Sequence, residues 1–258
     1  MIFDTHAHYT STQYDEDRES RLASINNNGV KRIVEVGAEI ESIPDVLSLA
    51  DSHDYIYASV GVHPDEIVRL KPEDIGKLES WARNPKVVAV GEIGLDYFER
   101  EGEEPKDHGL QKQWFESQLN LARKLNKPVI IHSRDACQDT LDILKNYKDV
   151  SAVMHCYSYS KETARELLDM GLVFGVGGVV TFKNAKKLKE AVEYIPMESI
   201  LLETDCPYMA PTPYRGTRNQ SDYIKLVIEA IAEIKQLPCN EVEEICWNNA
   251  CRFYGLPQ

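Results

Sequence analysis

Eight times along the chain a short run of apolar, mostly β-branched residues gives way to a longer segment readable as a helix. The runs are Ile2 to Thr5, Arg32 to Val36, Ile56 to Val60, Val87 to Val90, Val129 to Ile131, Ala152 to Met154, Leu172 to Val176 and Ile200 to Leu202. Eight β-then-α units in succession predict an α/β fold closed into a TIM (β/α)8 barrel, which commonly takes about 250 residues. The 258 residues suit one such domain over 1–258. An open doubly wound sheet would call for a glycine-rich phosphate loop after the first strand. The sequence has a His-x-His there instead, in MIFDTHAHYT. Among the helical segments, Tyr14 to Asn28 stops at Gly29, a natural C′ residue. Residues 108–126 repeat Leu110, Trp114, Leu121 and Leu125 near helical spacing. Segments 219–236 and 241–254 read as two closing helices, an extra C-terminal one included.

Composition narrows the function classes. No apolar stretch approaches the ~20 residues that span a bilayer, and Asp4 and His6 interrupt any signal-peptide pattern at once. Six cysteines without a CxxC pair read as free thiols of a reducing compartment, so a cytoplasmic protein is expected. The net charge of -13 argues against a broad basic face for duplex nucleic acid. It leaves room for an anionic substrate at a locally positive site.

Active sites of parallel barrels lie at the carboxyl ends of the strands. Reading those ends in order gives His6 and His8, His63 in VGVHP, Glu92 in VVAVGEIGLDY, His132 in PVIIHSRDA, His155 in AVMHCYS and Asp205 in ILLETDCPY. Five of the seven histidines lie there; only His53 and His108 do not. Singly, each has a bland reading as a capping or loop-bonding residue. Together, imidazoles and carboxylates packed on one rim would be costly to desolvate without a cation. Six ligands exceed the three or four protein groups of a single zinc site. They suit two divalent ions with one carboxylate shared. Imidazole and carboxylate suit Zn, Mn, Fe, Ni or Co, with Mg the less natural choice.

The motifs THAH, GEIGLDY, VIIHSRDA, HCYS and LLETDCPY, with the closing NNACRFYGL, resemble the TatD family of metal-dependent deoxyribonucleases over nearly the whole chain. The resemblance implies that His6, His8 and Asp205 hold one metal, that Glu92 bridges, and that His132 and His155 hold the second. It also implies a TIM barrel that hydrolyses DNA phosphodiesters from a 3′ end, with single-stranded DNA or 3′ ends as partner. No membrane or obligate protein partner is expected. The sequence departs from the family pattern at Ser221, where a proline is expected.

Charge bears on which bond is cut. Two divalent ions less Glu92, Asp205 and a hydroxide leave about one positive charge by formal count, which favours an anion. The loops after strands seven and eight carry Lys183, Lys186, Lys187, Lys189, Arg215 and Arg218. The lysines read best as an exposed helix face, whereas Arg134 and Arg215 are the candidates for phosphate contact. Asp205 is the candidate proton acceptor for the attacking water, and His63 the candidate to protonate or orient the leaving group. Tyr97, Phe98 and Tyr157 are candidates to stack on bases. Cys156 and Cys206, next to ligands in extended chain, should face away from the metals. An amide- or ester-hydrolysing amidohydrolase acting on a small anionic substrate is the alternative. The lack of a lysine at the ends of strands four and five counts against it. A non-catalytic metal-binding protein is a third reading.

Overall fold

In a computed structural model that describes residues 1–258 apart from Arg100 and Glu103, eight parallel strands pair in sequence order. They are β1 (Ile2–Ala7), β2 (Val30–Val36), β3 (Ile56–Val60), β4 (Val87–Asp96), β5 (Val129–Arg134), β6 (Ala152–Met154), β7 (Val173–Val176) and β8 (Ile200–Leu202). The connecting helices are α1 (Arg18–Asn27), α2 (Ile43–Ser52), α3 (Asp74–Trp81), α4 (His108–Leu125), α5 (Cys137–Leu144), α6 (Lys161–Asp169) and α7 (Lys186–Tyr194). Two more, α8 (Ile224–Lys235) and α9 (Cys239–Tyr254), follow β8, so the extra C-terminal helix is present. Strands β1 and β8 close the ring just past the end of β8. Asp205 N donates to His6 O at 2.9 Å and His8 N donates to Cys206 O at 2.8 Å. The hydrogen bonds that complete the barrel thus come from the residues that carry the candidate chemistry.

Two apolar layers hold this frame. The larger lies between strands and helices, where Leu22 and Ile25 of α1 or Phe115, Leu119 and Ala122 of α4 meet the outward faces of the strands. The smaller contains strand residues of the opposite parity, Phe3, Val34, Ile130, Val153 and Leu201, joined by Trp247, Cys251 and Tyr254 of α9. Phe3 packs on Trp247 and Tyr254 at 5.9 and 5.8 Å between ring centroids. Asn249 of α9 donates to Met197 O and Ile200 O at the start of β8, at 2.7 and 2.9 Å. Helix α9 therefore plugs the barrel at the amino ends of the strands and leaves the carboxyl ends for chemistry.

The structure lengthens β4 beyond its apolar run, through GEIGLD to Asp96. That segment stays in the sheet because Ile93 to Asp96 pair with Ile131 to Arg134 of β5. Gly94 makes the pairing possible: its φ is +147°, and a Cβ there would stand 1.9 Å from His132 O. The first helix starts at Arg18 rather than Tyr14. Tyr14 lies in a 3-10 turn with its hydroxyl donating to Asn219 O at 2.5 Å, and that tether holds it outside the helix. Helix α4 begins as expected, with the Asp107 carboxylate accepting from Leu110 N, and ends at Asn126 in the left-handed region.

Candidate metal centre

All six expected ligands meet at the carboxyl ends of the strands. His6 lies on β1 and His8 just after it, and their Nε2 atoms are 3.1 Å apart. Asp205 Oδ1 lies 3.8 and 3.5 Å from those two nitrogens. Glu92 Oε2 lies 3.4 and 3.9 Å from the same pair. The other Glu92 oxygen, Oε1, faces a second group, at 2.9 Å from His132 Nδ1, 3.7 Å from His155 Nε2 and 3.9 Å from His63 Nε2. One buried carboxylate thus offers one oxygen to each of two sets of imidazoles.

The side chains are oriented from behind. His8 Nδ1 donates to Val36 O at 3.1 Å, which in the neutral ring leaves the Nε2 lone pair facing the cluster. His132 Nε2 lies 2.9 Å from Asp96 Oδ2, so its Nδ1 is the nitrogen turned to Glu92. His155 Nδ1 is 3.1 Å from Glu203 Oε1, close enough for charge attraction though not aligned as a hydrogen bond. Glu203 also accepts from Cys156 N at 2.7 Å, and Gly175 clears its space, since a Cβ there would meet Glu203 Oε2 at 2.0 Å. Glu35 of β2 accepts from Tyr9 N and Thr10 N, both at 2.8 Å, and pins the chain just after His8.

The electrostatics are those of a site built for cations. Burial alone would raise the Glu92 carboxyl, but His155, His6 and the hydrogen bond to His132 hold it well below the usual range. Asp205 is likewise held down against burial, by His8 first and then His155. Burial opposes charge on His132 as well, yet Asp96 and Glu92 raise it to about 9. Glu203 and Glu92 raise His155 to about 10 in the same way. In the metal-free chain, protons on these two rings supply the positive charge that a divalent ion would bring. His63 goes the other way: burial and the neighbouring His132 hold it at about 4, so it is neutral at pH 7. The donor set fits divalent ions, because imidazole nitrogens and carboxylate oxygens converge at buried or half-buried positions where only a cation, or a proton, offsets their desolvation.

Asp96, Glu203 and Glu35 escape a reading confined to strand-end residues, although a period-two signal points to two of them. Asp96 follows Glu92 by four residues and Glu203 precedes Asp205 by two, so each shares a face with a ligand candidate in extended chain.

Several expectations need correcting. Tyr157 is 2% exposed, packs edge-on against Phe174 and donates to Ser160 O, so its ring belongs to the core and cannot stack on a base. Tyr97 is occupied too, stacked on His108 at 3.6 Å and donating to Asp139. Cys156 does not face away. Its backbone is left-handed, with φ of 45°, which breaks the alternation of extended chain and brings Sγ within 4.8 Å of ligand atoms of His155 and Asp205. Cys206, fully buried near Asp4 and Thr204, does lie behind the site. Arg134 and Arg215 are exposed, their guanidinium groups over Phe98 at 3.6 Å and over Phe182 at 4.5 Å. Lys183, Lys186 and Lys189 line a groove between α7 and α8, on the helical flank. Ser221, at the expected proline, donates to Asp4 Oδ2 at 2.6 Å in a buried network with Tyr9.

Known proteins resemble this chain along nearly its whole length. The family model described as TatD related DNase matches residues 3–255. The chain is 43% identical over 258 residues to the metal-dependent hydrolase YabD of Bacillus subtilis, covering 99% of this chain and 100% of that one. It is 35% identical over 261 residues to the metal-dependent hydrolase YcfH of Escherichia coli K12, covering 99% and 96%. The crystal structure of YjjV, a TatD homologue from E. coli K12, superposes with a TM-score of 0.92 at 30% identity, covering 99% of this chain and 98% of that one. Among the described residues no helix is long and apolar enough to cross a membrane. With its barrel, its ring of histidines and carboxylates and these matches along its whole length, the chain belongs to the TatD family of metal-dependent hydrolases.

Proposed function

We propose that this chain hydrolyses DNA phosphodiester bonds, at single-stranded or 3′ ends, with two divalent ions. The observation that carries the reading is Glu92: its two oxygens address two separate donor sets, His6 and His8 with Asp205 on one side, His132 and His155 on the other. Ions held there would supply Lewis acidity toward a phosphoryl oxygen and acidify a water. Asp205, ionised and only partly covered, accepts the proton of the attacking water. His63 is neutral, so it orients the leaving oxygen through a hydrogen bond rather than protonating it as an imidazolium. Arg215 sits on the rim, where a permanently charged fork can meet a phosphate of the strand. The description of the matching family supports DNA over amides, as does strand β4, which offers the Glu92 carboxylate to both donor sets where an amidohydrolase would offer a lysine. The test is incubation of metal-loaded protein with a 5′-labelled single-stranded oligonucleotide, with and without chelator. A ladder shortening from the 3′ end, lost with chelator and in Glu92→Gln, is expected. Intact DNA alongside hydrolysis of an amide or ester panel would replace this reading with the amidohydrolase one.

A further inference from the structure

Beyond Asp96, on the side away from Glu92, a groove of about 410 Å³ opens between the segment after β3 and the segment joining β4 to α4. It joins the candidate metal centre directly, because Asp96 faces His132 with Oδ2 and the groove's Lys106 with Oδ1, at 2.9 and 2.7 Å. One wall is apolar: Pro64, Ile67, Leu110 and Val68, the last 71% exposed. Phe98 and Arg134 line the same groove, the guanidinium lying over the ring at 3.6 Å. At that distance the guanidinium packs on the ring, and Arg134, being exposed, keeps its planar cation open to the groove.

The charges say what the groove takes. Among the described residues its lining has four carboxylates, Asp65, Asp96, Glu104 and Asp107, against Lys106 and Arg134. Lys106 is committed to Asp65 and Asp96, at 2.7 Å from each. A surplus of acid repels phosphate, yet suits a flat, uncharged heterocycle whose amino groups need acceptors and whose face needs a stacking partner. The volume falls in the range of small-molecule sites, about 300–1,000 Å³. We propose that this groove binds the nucleobase beside the scissile phosphate, stacked on the Arg134 guanidinium that Phe98 supports. The inference rests on the DNA-cleaving reading above and changes Arg134 from a phosphate clamp to a base platform.

The experiment compares a normal single-stranded oligonucleotide with versions carrying an abasic residue on either side of the cleaved bond, using metal-loaded protein. Wild type should lose roughly tenfold in kcat/KM, mainly through KM, when the base is missing at one of the two positions. In Phe98→Ala and Arg134→Ala the ratio of normal to abasic rates should fall toward one, and Phe98→Trp should restore it. If Arg134 gripped a phosphate instead, both substrates would slow together, the ratio would stand, and the proposal would be overturned. A wild-type ratio near one at both positions would also overturn it, while leaving DNA hydrolysis intact. A wild type that cleaves no oligonucleotide at all would remove the DNA reading and this inference with it.

Discussion

Removing metal should invert the pH dependence of this protein's stability. In the metal-free chain His132 titrates at about 9 and His155 at about 10, against about 6.5 for an unfolded histidine. A group whose folded pKa is raised contributes stability below its unfolded value and loses it as pH climbs through the folded one. Between pH 7 and 9 the chelated protein should therefore become less stable, as the unfolded chain has already released protons that the fold still holds. His132 alone, at about 1.4 kcal/mol per tenfold, accounts for something on the order of 3 kcal/mol, complete only once pH passes its folded value. His155 adds in the same sense, though the two share Glu92 and do not add in full. The window is chosen with care: His63, held down at about 4, opposes this trend only below about pH 7, whereas Asp4, held up at about 7 by burial, acts in the same sense as the two histidines. Metal-loaded protein should behave oppositely, because ligands bind ions more tightly as they lose protons. The assay is urea unfolding at pH 7, 8 and 9 with chelator and with a fixed free metal concentration. A chelated midpoint that stays level or rises from pH 7 to 9 would refute the imidazolium–carboxylate account of the chelated cluster.

Glu92→Gln should lower metal content from about two ions per chain to one or fewer by equilibrium dialysis, since both donor sets lose an anionic oxygen; undiminished content would show that Glu92 does not bridge. Gly94→Ala should destabilise the fold by roughly 3 kcal/mol or more and weaken metal binding, because the new Cβ overlaps His132 O and forces β5 outward. Wild-type melting and metal affinity in that variant would contradict the close approach.

The sequence by itself was enough for the barrel and for the six polar residues that gather at its carboxyl rim, because both are local patterns. Apolar runs such as RIVEV and PVIIH announce strands over a handful of residues, and the polar residue that ends such a run is where a parallel barrel exposes chemistry. His6, His8, Glu92, His132, His155 and Asp205 were legible on that basis alone. What the local pattern does not contain is direction and pairing between distant segments. Glu203 reaches His155 across 48 positions of chain and past the intervening β7, and Asp96 reaches His132 across 36, only because the strands from β4 to β8 lie in one particular register. The side of Glu92 that faces each donor set depends on the closure of β1 onto the chain after β8, which no window of sequence encodes. Cys156 turns toward the site, and Tyr157 into the core, because one left-handed residue overrides the alternation expected of a strand. The groove beside Asp96 is likewise a tertiary product: Val68 comes from the connection after β3, Phe98 and Lys106 from the one after β4 and Arg134 from the end of β5, and their neighbourhood exists only once these strands have paired.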